Sequence, residues 1–201
     1  MSTEALCTLR YAIATLALPG NARSGDLEVV DLHPAGALLA VIDGLGHGES
    51  AAQAAENARL TVQSHLRDSP ETLLQRCHQE LRRTRGVVMS VAAIDFELGQ
   101  LNWLGVGNVR GVLYRAAGTP EARREELLLR PGVVGAQLPA LRATVTPVGR
   151  GDMLILATDG VRSDFADQPA LIVEPRVLAD RILAQYGRRT DDALVLVAQL
   201  I

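Results

Sequence analysis

Three acidic segments stand where apolar runs stop or start. ALLAVIDGLGHG carries a buried-looking run into Asp43-Gly44, and GDMLILATDG carries another into Asp159-Gly160. RRTDDALVLVAQL reverses the order, with Asp191-Asp192 ahead of the run. In an antiparallel sheet the start of one strand lies beside the end of its neighbour. Asp191 can therefore sit beside Asp43 or Asp159 at one rim. A fourth carboxylate follows from a hairpin. Symmetric pairing about His33-Pro34-Ala35-Gly36 puts Leu27 opposite Ile42 and Asp26 opposite Asp43. Four carboxylates at one rim repel strongly without cations, and hard oxygen ligands suit Mg²⁺ or Mn²⁺. A single Asp-Gly after a strand is usually only a turn, so the reading rests on combination and order.

The elements that must position these residues are legible as apolar runs bounded by Gly, Pro and Asp. Strands are expected near 9–18, 27–32, 37–42, 87–96, 100–106, 109–115, 126–130, 141–147, 152–158 and 193–200. The stretch 49–84 reads as helix broken at Ser69-Pro70, with Ser69 as cap and Pro70 at the first helical position. A second helical region covers 175–186, from Pro175 to a stop at Gly187. Short links favour antiparallel pairing, and helices grouped in blocks argue for α+β rather than repeated βαβ units.

The whole chain sets outer bounds. Its 201 residues suit a single domain, 1–201. The net charge of −3 gives no reason to expect a nucleic-acid partner. Cys7 and Cys77 are the only cysteines, too few for a disulfide framework, so a cytoplasmic location is expected. The N-terminal segment reads as a strand rather than a signal peptide, and no apolar segment reaches membrane-spanning length.

Taken together, SGD at 24–26, DGLGHG at 43–48, GVGN at 105–108, ATDG at 157–160 and TDD at 190–192 resemble the protein phosphatase 2C family. The match is nearest to its small bacterial sporulation and stress-response branch. The pieces occur in the family's order and span most of the chain. The resemblance implies an αββα sandwich of two mainly antiparallel sheets flanked by helices. It implies hydrolysis of phosphoserine or phosphothreonine on partner proteins through a metal-activated water, with two divalent cations, Mn²⁺ or Mg²⁺. Phosphorylated stressosome proteins with STAS domains are the implied partners. Carried onto this sequence, Asp43 bridges the metals, the Gly44 carbonyl joins one shell, and Asp159 and Asp191 hold the other. Asp26 supports the shell directly or through water. Asp192 competes with Asp191, which is preferred because the family's second residue there is often an amide.

Two residues depart from the family's larger members. Arg23 stands three residues before Asp26, at a spacing unlike that of the family's phosphate-gripping Arg. It reads as a substrate-binding residue or a solvated loop Arg. His47 does not directly follow Asp-Gly; it reads as a structural residue capping the following helix, or as a general acid or a hydrogen-bond partner of a metal ligand. Residues 105–108 are expected to turn between the strands at 100–106 and 109–115, residues 130–139 to form a connection or a substrate-facing edge, and the charged run 121–130 to be a solvated face. Two other functions compete with an active protein phosphatase: a catalytically weak phosphatase fold that docks a phosphoprotein, and a metallohydrolase for a small phosphoester.

Overall fold

The computed structural model describes residues 8–18, 23–116, 124–167 and 173–201. Cys7 lies outside them, as do residues 121–123 of the charged run 121–130, whereas the strand expected at 9–18 is found as β1 within it. Two sheets stack face to face. The first contains β1 (Leu9–Leu16), β11 (Ala193–Leu200), β10 (Met153–Ala157), β6 (Arg110–Tyr114) and β7 (Arg124–Glu126), in that spatial order. The second runs β2 (Asp26–His33), β3 (Gly36–Gly44), β4 (Val87–Asp95), β5 (Gln100–Val106) and β8 (Leu129–Arg130), with β9 (Thr144–Pro147) also pairing β5. Among the described residues every strand pair is antiparallel except β5–β8. Helices α1 (Glu49–Ser64) and α2 (Pro70–Glu80) cover the second sheet, and α3 (Pro175–Tyr186) covers the first. The layers are those of the expected αββα sandwich.

The continuous apolar runs have a simple cause: the inner strands are buried on both faces. Successive side chains of a strand point to opposite faces. On β3, Leu39 and Val41 enter the core between the sheets, while Leu38, Ala40 and Ile42 pack under α1 and α2. On β11, Leu194, Leu196 and Ala198 face the other sheet, while Val195 and Val197 face α3. The buried face of α1 is rich in alanine, with Ala51, Ala54, Ala55 and Ala58 fully covered. Small side chains let this helix ride close to β3. A Cβ added at Gly44 would strike the Ala51 carbonyl oxygen, so the strand end and the helix are in backbone contact there.

The helix punctuation follows the sequence. Ser69 Oγ accepts from Thr72 N at 3.3 Å, Pro70 opens α2, and Gly187 ends α3. The turn expected at 105–108 lies between β5 and β6, and it carries the chain from the second sheet to the first. Other expectations change. The single strand expected at 126–130 is two short pieces in different sheets, β7 and β8, with buried Leu127 between them. Nor is the described end of the charged run a plain solvated face. Glu125 meets the buried Arg115, and Arg124 pairs with Glu126 at 3.0 Å. The loop 130–139 pairs through Val134 with Val87, and Val134 is fully buried against the helices' core. None of its residues lines the acidic cleft described below. Among the described residues no helix is long and apolar enough to cross a membrane.

Candidate active site

The β2–β3 hairpin has the register expected from its turn, with Asp26 opposite Asp43 and Leu27 opposite Ile42. Alternation then aims both acids. Leu39 and Val41 face the other sheet, so Asp43 points the same way at the rim, and its cross-strand partner Asp26 shares that face. Thr158 follows Leu154 and Leu156 on the facing sheet, and its hydroxyl donates to Asp26 Oδ2 at 2.7 Å. The same hydroxyl accepts from Leu194 N at 2.9 Å. One buried threonine therefore ties the first acid to both central strands of the other sheet. The family resemblance carried no role for Thr158; the strand parity through Leu156 was the signal for it.

Asp43, Asp159 and Asp191 line one cleft of about 260 Å³, together with Leu18, Leu45, Gly46, His47, Val88, Asn108 and Thr190. Asn108 Nδ2 donates to Asp159 Oδ2 at 2.8 Å, fixing that side chain from the loop between the sheets. Gly107 enables this placement, because its φ of 98° and its packing on Val88 exclude a side chain. His47 is exposed on the cleft wall and does not cap α1, whose first turn has Gly48 as its cap residue and no side-chain bond. Arg23 does not line the cleft. Its guanidinium is exposed and stands 3.8 Å from Glu49 on the first turn of α1.

Asp191 and Asp192 have different surroundings. Asp191 is exposed toward the cleft. Asp192 is only 5% exposed, and its carboxylate accepts from Leu18 N and Gly25 N, each at 2.7 Å. Asp192 thus clamps the chain after β1 and the chain before β2 onto the start of β11. Asp191→Ala should raise the Mn²⁺ concentration needed for half-maximal activity by about tenfold or more. Asp192→Ala leaves two amides without their charged acceptor, worth roughly 1.5–3 kcal/mol each. Its melting temperature should therefore fall with or without metal. Equal metal dependence in the two variants would sink this division of labour.

The acids strain against one another electrostatically. Burial pushes Asp26 up to about 7; the Thr158 hydrogen bond opposes this, and the charges of Asp192, Asp159 and Asp191 add to it. Burial, then the charges of Asp26, Asp159, Asp191 and Asp192, push Asp43 up to about 8. Asp159 is also raised, first by desolvation and then by Asp191, while Arg188 and Asn108 pull it down. Among the described residues no ion pair reaches any of these five acids.

The sign of the resulting pH dependence is fixed. Folded Asp26 and Asp43 hold protons that the unfolded chain, near the ordinary 3.8, has already lost. The native state binds more protons across that window, so their stabilising contribution is complete below about 4 and is lost as pH rises to about 8. In EDTA, the melting temperature should fall by at least about 3 °C between pH 5 and 8. The slope should shrink in Asp43→Asn. A flat or rising curve in the parent protein would contradict this electrostatic picture.

The donor set suits a hard divalent cation. All candidate ligands are oxygens, and a dication relieves the repulsion that raises Asp26 and Asp43. Among the described residues no group of three or more His, Cys, Asp or Glu side chains is set to hold an ion unaided. That is compatible with Mg²⁺ or Mn²⁺, because Mg²⁺ commonly takes one or two carboxylates and fills its shell with water.

Comparisons with known proteins agree with this architecture. The family model described as Stage II sporulation protein E (SpoIIE) matches residues 33–201, a span that begins after Arg23 and Asp26. The phosphoserine phosphatase RsbX of Bacillus subtilis (strain 168) is 28% identical over 126 residues, or 62% of this chain and 60% of that protein. A solved chain from "The bacterial stressosome: a modular system that has been adapted to control secondary messenger signaling" is 31% identical. It has a TM-score of 0.86, covering 95% of this chain and 99% of that one. RsbX in complex with magnesium shares the fold at 23% identity and a TM-score of 0.85, over 96% of each chain. With a match running from residue 33 to the end, the sandwich and its acidic rim have a name: this chain belongs to the SpoIIE family of protein phosphatase 2C-like folds.

Proposed function

We propose that this chain is a metal-dependent protein serine/threonine phosphatase acting on phosphorylated stress-signalling proteins of the stressosome, with STAS domains as the substrate class. The observation that carries the reading is the convergence of Asp43, Asp159 and Asp191 on one cleft, backed by buried Asp26, with no ion pair to any of them among the described residues. The relative named a phosphoserine phosphatase and the stressosome-associated chain support the choice of substrate.

Asp43, the Gly44 carbonyl, Asp159 and Asp191 would hold two divalent cations, Mn²⁺ or Mg²⁺, with Asp26 supporting them from below. When bound, such cations lower the pKa of water and neutralise charge on a transferring phosphoryl group. The chain's own residues orient the site. Thr158 fixes Asp26, Asn108 fixes Asp159, and the Asp192 clamp holds the segments that carry Asp26 and Asp191. Leu18, Leu45 and Val88 supply apolar wall. Arg23, exposed and beside Glu49, is assigned at most a weak contribution to phosphate attraction. The domain span 1–201 and a cytoplasmic location belong to the same reading.

The test is phosphate release from p-nitrophenyl phosphate and from phosphorylated STAS proteins. Activity should appear with Mn²⁺ or Mg²⁺ and vanish in EDTA. Iodoacetamide should have little effect, because Cys77 is buried and burial pushes its thiol up to about 12. Full activity in chelator, or inactivation tracking alkylation of Cys77, would point to other chemistry. Binding of the phosphoprotein without turnover would favour a docking module.

A further inference from the structure

A phosphate dianion entering an acidic cleft needs positive charge from the protein as well as from cations. Among the described residues, Arg23, Arg85 and Arg188 stand near the acidic rim in different situations. Arg23 is paired with Glu49. The charge of Arg188 falls on Asp159 and on Asp164. Arg85, on the segment between α2 and β4, is exposed and has neither an ion pair nor a hydrogen bond among the described residues.

The position of Arg85 is built into the rim. Its Nη1 lies 2.6 Å from where a Cβ of Gly46 would stand, and Gly46 lines the cleft. Gly46 has a φ of 89°, so glycine is needed there for the turn as well as for this contact. The two segments are fastened together. Leu45 N donates to the Gly86 carbonyl at 3.1 Å, and Gly86 N donates to Thr84 Oγ1 at 3.0 Å. The base of the Arg85 side chain is thus fixed, and its guanidinium lies across the DGLGHG turn one residue outside the cleft wall.

We propose that Arg85 is the phosphate-binding arginine of this protein, reaching over Gly46 to hold the substrate phosphate by its planar fork. The assignment rests on the phosphatase reading and moves the role from Arg23 to a different element of the fold. Guanidinium suits the task because it can give two parallel hydrogen bonds to one phosphate.

Two measurements on the full chain test it. The first reads no turnover: phenylglyoxal labelling with Mg²⁺ present, followed residue by residue by mass spectrometry. Inorganic phosphate should slow labelling of Arg85 by about threefold or more and leave Arg23 unchanged. The second is kinetic. Arg85→Ala should raise KM for p-nitrophenyl phosphate by about tenfold or more, a loss typical of a charge-assisted hydrogen bond, with a smaller change in kcat. Arg85→Lys should recover only part of this, because lysine lacks the fork. Arg23→Ala should change KM by less than about threefold. An unprotected Arg85, or an unchanged KM in Arg85→Ala, overturns the assignment. Should the parent protein turn over no phosphoester while phosphate still protects Arg85, the phosphatase reading falls and the anion site stands.

Discussion

Asp43→Asn should lower metal-dependent turnover by about a hundredfold or more while leaving the fold intact. Asp43 sits at the meeting point of the acidic cluster, opposite Asp26 and on the cleft wall with Asp159 and Asp191. An amide keeps the shape but withdraws the charge that would join two cations. Lewis-acid stabilisation is worth several kcal/mol, and several kcal/mol is two or more decades in rate. Stability should move the other way. Burial and four neighbouring carboxylates push Asp43 up to about 8, so near neutral pH a neutral side chain is the easier one to bury. The variant should therefore melt at the parent's temperature or above it in EDTA. Turnover near the parent level at saturating Mn²⁺ would remove Asp43 from the bridging role.

Gly160→Ala should be among the most destabilising single changes in the chain. A Cβ at this position would land on the Asp192 carbonyl oxygen, well inside contact distance, and within 2.9 Å of the Ala193 Cβ. The surroundings cannot give easily. Gly160 O accepts from Arg188 N at 2.6 Å, and the Asp192 carboxylate is held by two amides. Overpacking in a yielding core costs about 1–3 kcal/mol; against fixed backbone the cost should exceed about 3 kcal/mol, lowering the melting temperature by roughly 6–12 °C. Asp159 and Asp191 flank the collision, so activity should not return with excess Mn²⁺. Gly149→Ala is the control, because nothing lies within 4 Å of its added Cβ. That change should stay within about 0.5 kcal/mol of the parent. Equal melting temperatures for the two variants would mean that the Gly160–Asp192 approach is not tight.

The sequence by itself determined what one segment can specify locally. Continuous apolar runs ending in Asp marked buried strands, because a strand covered by the facing sheet on one side and by a helix on the other has no polar face. A four-residue turn set the β2–β3 register and so brought Asp26 opposite Asp43. Ser69-Pro70 and Gly187 marked helix ends by cap chemistry that acts within one turn.

Only the tertiary structure decided the contacts between distant segments. Asp191 and Asp192 are chemically identical neighbours, and what separates them is the pair of amides at Leu18 and Gly25, more than 160 residues away, that claim Asp192. Thr158 acquires its part from Asp26, 132 positions earlier. Residues 105–108 had a turn's composition, but whether that turn closes a hairpin or crosses between sheets depends on which strands stack, and β6 finds its place beside β10. Arg23 stood at a suggestive distance from Asp26 along the chain, whereas Arg85 reached the rim because the Leu45–Gly86 hydrogen bond holds its segment beside Gly46. Local periodicity is encoded in adjacent residues. Side-chain partnership across a sandwich is set by the packing of layers, which spacing along the chain does not contain.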